Sequence, residues 1–236
     1  MRLLTLPTAD AVAAKSAQLL AGLLSDALAR RGVAHIALTG GTSAGAVYER
    51  LAPLLDSWDD VHLWWGDERC VEPDHDAANF SIALATLIEP AGIRPARIHR
   101  MRGELGAAAG AAAYALELDE HLGPGEGGMP VLDVVDLGLG PDGHVASLFP
   151  HHAALEIADA TTAGIEDAPK PPPQRITLTL PVLRAARSCV IHTTGDSKRE
   201  AITLLRAEPD PATPASLLRR DRLTVIADAA AAGGGA

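Results

Sequence analysis

Hydrophobic residues recur at helical spacing along much of the chain. Between residues 9 and 31 they fall on one stripe and Gly32 follows directly, which predicts an amphipathic helix that ends there. The same spacing predicts further helices over AGAVYERLAPLL, NFSIALATLI with an end at Pro90, the alanine-rich run from Glu104 to Leu122, PVLRAARS and SKREAITLLRAE.

Runs of apolar residues between these helices predict strands. They are HIALTG, VHLWWGDE, RIHRM, VLDVVDLG, RITLTL, SCVIHTTG and LTVIAD. Strands that are apolar throughout and alternate with helices are typical of a parallel sheet covered on both faces. We therefore predict an α/β fold with a mostly parallel sheet and helices on both faces. One domain is expected over residues 1–228, and the ending AAAAGGGA over residues 229–236 predicts a flexible tail.

Composition narrows the class of partner. The chain has 236 residues, of which 47% are hydrophobic, and a net charge of -10. An acidic surface disfavours nucleic acid and anionic membranes, because both are bound through clustered positive charge. Two cysteines cannot frame a disulfide scaffold, and no apolar run reaches the length of about 18 residues that a membrane span needs. We expect a cytoplasmic monomer or small homo-oligomer that acts on a small molecule.

The stretch GLGPDGHVASLFP, Gly138 to Pro150, contains G-x-G-x-x-G. As a dinucleotide fingerprint it would need a full helix after its glycines, but Asp142 places a carboxylate among the phosphates and Pro150 limits any helix to about two turns. Alternatively, the glycines present His144, whose imidazole can exchange protons near neutral pH. A histidine in such a loop is as often structural as catalytic, so both interpretations stay open.

A second glycine loop, LTGGTSAG, follows the first predicted strand. It contains G-x-S-x-G, which is typical of a nucleophilic serine at Ser43, but little chain precedes it to form an oxyanion hole. Phosphate binding by backbone N–H groups and hydroxyls is the alternative, because a helix begins directly after the loop. Its candidate residues are Gly40, Gly41, Thr42 and Ser43. An ordinary turn between strand and helix is equally compatible with the pattern.

Charged residues mark three further loops. WWGDERCVEPDHDAANF is rich in carboxylates, but its spacing matches no standard metal site, so a solvated acidic loop is expected, apart from Arg69 as a candidate anion ligand. The chain has only three lysines, and Lys170 and Lys198 lie in loops beside predicted strands. Lys198 stands at the start of a helix, where an anion would relieve its conflict with the helix dipole. Arg175 begins the strand RITLTL.

Taken in order, five of these segments carry a family resemblance. LTGGTSAGAVYERL, WWGDERCVEPDHDAANF, GLGPDGHVASLFP, KPPPQRITLTLP and GDSKREA resemble the 6-phosphogluconolactonases, which belong with the glucosamine-6-phosphate isomerases and deaminases. The resemblance implies a modified Rossmann-like fold of the glucosamine-6-phosphate deaminase type. It also implies hydrolysis of 6-phospho-D-glucono-1,5-lactone in the oxidative pentose phosphate pathway, with no metal and no cofactor.

The resemblance also implies roles for individual residues. His144 would be the general base, with Arg69 in the active site and Asp142 either orienting His144 or capping the turn. Phosphate would be held by Gly40, Gly41, Thr42, Ser43, Arg175 and Lys198, with Lys170 nearby. Two positions depart from the family pattern: Ala44 stands where proline is common, and Ala78 where serine is usual. The lost hydroxyl at Ala78 removes one possible hydrogen bond.

Two alternative functions come with this fold. Amino-sugar-phosphate deaminases carry a glutamate after the glycine-histidine loop, where this chain has Leu148 and Phe149. Non-catalytic sugar-phosphate sensors are usually joined to a basic helix-turn-helix, for which this chain has no spare segment. The lactonase interpretation is therefore the one we carry forward.

Overall fold

Strands and helices alternate in the computed structural model, which describes residues 1–41 and 43–233. The strands are β1 (Arg2–Leu6), β2 (Ala34–Leu38), β3 (Val61–Trp65), β4 (Asp67–Arg69), β5 (Val134–Leu137), β6 (Thr162–Ile165), β7 (Arg175–Leu178), β8 (Ser188–Thr193) and β9 (Leu223–Asp228). The α-helices are α1 (Ala9–Arg31), α2 (Ala44–Leu51), α3 (Asn79–Ala83), α4 (Glu89–Ala91), α5 (Ala107–Leu122), α6 (Leu180–Ala185), α7 (Arg199–Arg206) and α8 (Ala229–Ala232). A π-helical segment, Leu84–Ile88, joins α3 to α4.

The main sheet has six parallel strands in the order β1-β9-β8-β5-β2-β3. From β2 the chain moves outward to β3, and it later returns to the other side of β2 as β5 before continuing through β8 and β9. The strand order therefore reverses between β2 and β5. In open α/β sheets the carboxyl ends of strands at such a reversal flank a crevice that binds ligands.

A smaller antiparallel sheet, β4-β7-β6, lies at the same end of the molecule. The chain reaches it through Gly66, the single residue between β3 and β4. The N–H of Gly66 donates to Leu38 O at 2.9 Å, and its carbonyl accepts from Leu178 N at 2.8 Å, so it joins the two sheets. Pairing of β4 with β7 places Arg69 directly opposite Arg175.

The predicted first helix is confirmed as α1, by its caps and by its buried face. Thr8 accepts a hydrogen bond from Ala11 N at 3.2 Å, as an N-cap does, and Gly32 ends the helix in the left-handed conformation. Leu20 and Leu24 of α1 are completely buried, and α1 packs on β2, β8 and β9. Every residue of β3 and β5 is buried, as expected of parallel strands covered on both faces.

Several sequence predictions need correction. The helix over NFSIALATLI continues beyond Pro90 to Ala91 and ends at the left-handed Gly92. A proline clashes with the carbonyl four residues earlier in a regular α-helix, but here the π-helical segment spaces that carbonyl differently. RIHRM is not a strand: only Ile98 bridges to Leu63, after a 3-10 turn at Pro95–Arg97.

The two termini also differ from expectation. The amino-terminal segment forms the edge strand β1, which the sequence analysis did not predict. Residues 229–232, expected to open the tail, form α8, because the Asp228 carboxylate accepts from Ala231 N at 2.8 Å and Ala231 is buried. The residues after 233 lie outside the described part of the chain. Among the described helices, none is both long and apolar enough to cross a membrane.

Candidate active site

A cavity of about 130 Å³ opens at the carboxyl ends of β2 and β5, where the strand order reverses. It is lined by Thr39, Gly40, Gly41, Asp67, Arg69, Asn79, Gly138, Leu139, Gly140, His144, Ala146 and Arg175. The loops after β2 and β5 therefore meet with the small sheet at one point. These loops lie far apart in the sequence, and the fold brings them together.

His144 and Asp142 form a hydrogen-bonded pair beside this cavity. Nδ1 of His144 lies 2.5 Å from Oδ1 of Asp142. An ionised carboxylate accepts hydrogen bonds only, so this contact fixes the proton on Nδ1 in the neutral ring and leaves the lone pair on Nε2. Among the described residues none hydrogen-bonds that Nε2. Asp142 is thus the hydrogen-bond partner of His144, as expected of the first of the two roles that the resemblance implies for it.

The Asp142 carboxylate is held in its ionised form. Burial acts to raise its pKa, but the hydrogen bond from His144 and the charges of His144 and Lys170 outweigh burial and lower the pKa to about 2. Nζ of Lys170 lies 3.9 Å from the same carboxylate oxygen that contacts His144. The carboxylate thus links the imidazole to a cation at the edge of the cavity.

Gly140 makes the His144–Asp142 pair possible. A Cβ at residue 140 would lie 2.0 Å from Nδ1 of His144 and 2.4 Å from Oδ1 of Asp142, closer than atoms of a folded protein approach. The backbone turn is closed by hydrogen bonds from Gly140 N to His144 O and from Gly143 N to Gly140 O. The lack of a side chain at Gly140 therefore leaves room for the contact between His144 and Asp142.

No helix follows these glycines. The backbone after His144 makes a tight turn in which Leu148 N donates to Val145 O at 3.0 Å, and Ala146 takes a positive φ of 51°. The sequence limited any helix here to about two turns before Pro150, and the structure forms none. A dinucleotide fingerprint requires a helix amino terminus facing the pyrophosphate, and this loop does not supply one.

The loop after β2 contributes backbone to the cavity. Gly40 and Gly41 line it, and a Cβ at residue 40 would lie 1.7 Å from Oδ1 of Asn79, so only glycine fits there. Thr42, also predicted to bind phosphate, lies outside the described residues. Ser43 lines a separate cavity of about 260 Å³ between α1 and α2, so the structure does not bring it into the His144 cavity.

Two arginines face each other across the small sheet. Arg69 and Arg175 are register partners on β4 and β7, and both line the cavity. Like charges directly opposite one another destabilise a sheet unless an anion lies between or beside them. Nη1 of Arg175 is 3.8 Å from Oδ2 of Asp67, and burial lowers the pKa of Arg175. Nε of Arg69 is buried without a hydrogen-bond partner in the described part of the chain.

The loop carrying these charges is less solvated than its sequence suggested. Asp74, His75 and Asp76 are exposed, as expected, but Asp67 and Glu68 are buried. Asp67 accepts from Ser147 Oγ at 2.6 Å, which ties β4 to the loop of His144. Its position inside the cavity was missed because an acidic run offers no signal of which carboxylate turns inward.

Glu68 replaces the helix cap that Ala78 lacks. Its carboxylate accepts from the N–H groups of Asn79 and Phe80, the first residues of α3, each at 2.7 Å. A serine hydroxyl at residue 78 would have capped the same helix end. Because Glu68 already accepts from these N–H groups, they stay satisfied although residue 78 is alanine. Burial raises the pKa of Glu68 to about 7, against the three backbone N–H donors that lower it.

The two predicted lysines lie at the edge of the cavity. Nζ of Lys198 donates to Leu139 O at 2.7 Å, which joins the start of α7 to the loop of His144. Burial, and secondarily the charge of Lys170, lowers the pKa of Lys198, while Asp142 raises it. Lys170 is half exposed and its carbonyl accepts from Nη2 of Arg175 at 3.0 Å. Lys170, Lys198 and Arg175 thus gather around the His144–Asp142 pair.

Comparison with known proteins places the chain in a family. Residues 7–226 match the family described as "Glucosamine-6-phosphate isomerases/6-phosphogluconolactonase". A 6-phosphogluconolactonase of Streptomyces coelicolor is 39% identical over 219 residues, covering 88% of this chain and 84% of the relative. One from Nostoc sp. is 36% identical over 231 residues, covering 96% of this chain and 95% of the relative.

A solved structure agrees with these sequence matches. The structure of 6-phosphogluconolactonase from Trypanosoma brucei superposes with a TM-score of 0.88 at 25% identity, covering 100% of this chain and 98% of that chain. This agreement confirms the predicted fold class, a mostly parallel Rossmann-like sheet of the glucosamine-6-phosphate deaminase type. The chain belongs to the family of glucosamine-6-phosphate isomerases and 6-phosphogluconolactonases.

Proposed function

We propose that this chain hydrolyses 6-phospho-D-glucono-1,5-lactone to 6-phospho-D-gluconate, a step of the oxidative pentose phosphate pathway. The observation that carries the proposal is the His144–Asp142 pair, which leaves Nε2 of His144 with a lone pair beside a cavity flanked by cations. An imidazole in this state can take a proton from water. The family membership and the 6-phosphogluconolactonase names of the relatives support the choice of substrate.

In the proposed mechanism, water held at Nε2 of His144 attacks C1 of the lactone as the imidazole takes its proton. Negative charge develops on the carbonyl oxygen, and the guanidinium of Arg69, which lines the cavity, is a candidate donor to it. The tetrahedral intermediate then collapses with cleavage of the bond between C1 and the ring oxygen. The imidazolium returns its proton to that oxygen, and the new carboxylic acid ionises, so one proton is released per turnover.

Asp142 has a positioning role in this mechanism. Its carboxylate holds Nδ1–H, so the ring cannot turn away or take the other tautomer. It also stabilises the imidazolium that forms when water is deprotonated, since opposite charges then lie 2.5 Å apart. The carboxylate keeps its charge throughout, because its pKa is about 2.

We place the substrate phosphate on the cations and backbone donors at the edge of the cavity. Arg175, Lys170 and Lys198 supply positive charge, and Gly40 and Gly41, which line the same cavity as Arg175, supply backbone N–H groups. Thr42 stays a predicted hydroxyl donor to the phosphate, whereas Ser43, which lines the separate cavity, is not assigned to it. A phosphate held in this way orients the lactone carbonyl toward His144 and converts binding energy into rate.

The same fold carries deaminases and isomerases, and the residues here support them less well. Leu148 and Phe149, at the positions where those relatives have an acid, are buried apolar side chains. Asp67 lines the cavity, but its carboxylate already accepts from Ser147 and Asn79. The serine hydrolase alternative would need an accessible histidine beside Ser43. His192 lines the same cavity as Ser43, but its side chain is completely buried and its Nε2 lies 3.3 Å from Asp136.

The deciding experiment follows proton release when purified protein is mixed with freshly generated 6-phosphogluconolactone. We expect a rate well above the spontaneous hydrolysis and a much weaker effect on unphosphorylated gluconolactone. Ammonia release from glucosamine 6-phosphate is measured in parallel and should be absent. Ammonia without lactone hydrolysis would instead establish a deaminase, and binding of the phosphorylated sugar without turnover would establish a binding module. The cytoplasmic location and the state as a monomer or small homo-oligomer stay predictions.

A further inference from the structure

Three histidines meet at the end of the molecule opposite the His144 cavity. His62 is the second residue of β3, His99 follows the 3-10 turn at Pro95–Arg97, and His121 lies in the last turn of α5. One ring nitrogen of each lies within 4.8 Å of the others. Three separate elements therefore bring their imidazoles together at the amino end of the sheet.

Hydrogen bonds define the tautomers of the two buried rings. Glu117 Oε1 lies 2.8 Å from Nδ1 of His99, so in the neutral ring the proton of His99 sits on Nδ1 and the lone pair on Nε2. That Nε2 is 2.8 Å from Nδ1 of His62, which must then donate. Nε2 of His62 in turn accepts from Nη1 of Arg97 at 3.1 Å. A single proton is thus shared between the facing nitrogens of His62 and His99.

The rings are also held rigidly. His62 and His99 are buried and lie nearly parallel, with an interplanar angle of 5° and centroids 5.0 Å apart. The indole of Trp64 stacks on His99 at 4.0 Å and 9°, and donates through Nε1 to His35 at 3.2 Å. Their orientation is therefore set by packing before any ligand arrives.

We propose that His62, His99 and His121 bind one Zn²⁺ ion, at a site outside the catalytic cavity. Three imidazoles suit a borderline divalent metal rather than Mg²⁺ or Ca²⁺, which prefer oxygen ligands. The ion replaces the proton shared by Nδ1 of His62 and Nε2 of His99. The contact of His99 with Glu117 has the form in which a carboxylate orients a zinc-binding histidine from behind.

The geometry needs only small adjustments. Zinc–nitrogen distances of about 2.0–2.1 Å in a tetrahedral site separate the ligand nitrogens by about 3.3–3.4 Å. The facing nitrogens of His62 and His99 must therefore move apart slightly from 2.8 Å, and His121 must move inward. His121 is exposed and borders a groove of about 500 Å³, which gives the ion a way in.

Arg97 opposes the metal. When Nδ1 of His62 binds zinc, the single proton of the neutral ring moves from Nδ1 to Nε2, which then faces the N–H of Arg97. Arg97 has other partners to turn toward, since its Nε donates to Asp59 O at 2.6 Å and its Nη2 lies 3.3 Å from Asp60. The proposal thus predicts that removing the guanidinium strengthens binding.

The test is titration of tag-free, metal-stripped protein with Zn²⁺, and with Co²⁺ as a spectroscopic probe. We expect one ion per chain and the intense visible absorption of tetrahedral Co²⁺. His121→Asn should weaken zinc binding at least about 100-fold, Glu117→Gln about 10- to 100-fold, and Arg97→Gln should tighten it. Glu120→Gln, on the same helix and bordering the same groove, is the matched control and should not change the affinity.

His121→Asn is the decisive variant because residue 121 is exposed and its replacement leaves the core intact. Circular dichroism and thermal unfolding of the metal-free variants confirm that they fold. Absence of zinc binding by the wild type, or binding that His121→Asn leaves unchanged, overturns the proposal. Neither outcome bears on lactone hydrolysis, because the cluster and the His144 cavity lie at opposite ends of the sheet.

Discussion

The two ends of the parallel sheet use histidine in opposite ways. At the carboxyl end, Nδ1 of His144 hydrogen-bonds to Asp142, and Nε2 lies beside a cavity without a hydrogen-bond partner among the described residues. At the amino end, both ring nitrogens of His62 and of His99 have partners, and aromatic packing covers the rings. A histidine is ready for proton transfer with a small substrate when one nitrogen is fixed and the other faces open space. The buried rings of His62 and His99 lack that space.

The difference begins in the backbone. At the carboxyl end, glycines leave room for side chains to come close to the backbone. Gly140, for example, leaves room for the His144–Asp142 pair. At the amino end Trp64 stacks on His99 and Tyr114 packs on Trp64, so aromatic rings cover the buried histidines, while the exposed His121 borders a groove. The cavity at the carboxyl ends of the strands therefore depends on glycines, and the histidine cluster at the amino ends depends on aromatic residues.

The largest expected effect tests the free nitrogen of His144. His144→Ala should lower kcat for 6-phosphogluconolactone by about 10²- to 10⁴-fold, because the water loses its base. Steady-state proton release measures the effect. His152→Asn is the control, since that ring pairs with Asp167 outside the cavity and its loss should leave kcat within about twofold. An unchanged kcat in His144→Ala would remove His144 from the mechanism.

The next effect concerns the cations of the carboxyl end. Arg175→Ala or Lys198→Ala should lower kcat/KM about 10- to 100-fold, because each removes a charged contact to the phosphate. Both KM and kcat should change, since the phosphate also orients the lactone. Lys15→Ala, an exposed lysine of α1, is the matched control. If the cavity variants behave like Lys15→Ala, the phosphate binds elsewhere.

A single methyl group tests the role of the glycine backbone. Gly140→Ala would put a Cβ 2.0 Å from Nδ1 of His144 and so force the imidazole or Asp142 to move. A displacement of about 1 Å can cost up to about 10²-fold in rate, so we expect kcat to fall about 10- to 100-fold. Gly138→Ala is the control, because its Cβ would meet Thr39 Oγ1 at 3.7 Å, an ordinary contact. Equal kcat values for the two variants would contradict the argument.

The smallest expected effect is a change of stability with pH. The pKa of Asp142 is about 2 in the folded chain, below its ordinary value of 3.8. The carboxylate therefore contributes stability that is present above pH 3.8 and is lost as the pH falls through about 2. The difference in unfolding free energy between wild type and Asp142→Asn, measured with urea, should shrink as the pH falls from 5 toward 2. Parallel curves would mean that Asp142 does not interact with His144 and Lys170 as described.

Sequence patterns predicted the fold well where periodicity was long. The helix over residues 9–31 and the buried strands β2, β5, β8 and β9 follow the hydrophobic pattern closely, because burial on one or both faces dictates them. Short elements were harder. The strand β6 and the edge strand β1 were missed, and RIHRM formed no strand, since pairing partners distant in sequence decide such short segments.

In the site, too, some features were predictable from the sequence and others depend on contacts between distant segments. His144, Asp142, Arg69 and Arg175 were candidates from the sequence. In the structure His144, Arg69 and Arg175 line one cavity, and Asp142 hydrogen-bonds to His144. The inward position of Asp67 and the capping of α3 by Glu68 were not predictable, because both depend on contacts between β4 and segments far along the chain. The placement of Ser43 in a separate cavity depends likewise on how α1 and α2 pack.

The most direct test of the account is a crystal structure with 6-phosphogluconate bound. We expect the C1 carboxylate of the product within hydrogen-bond distance of Nε2 of His144, with the phosphate held by Arg175, Lys198 and the Gly40–Gly41 backbone. The Nδ1–Asp142 contact should persist. A product whose C1 lies away from His144, or whose phosphate lies outside this group of donors, would contradict the claim that one oriented imidazole and nearby cations perform the hydrolysis.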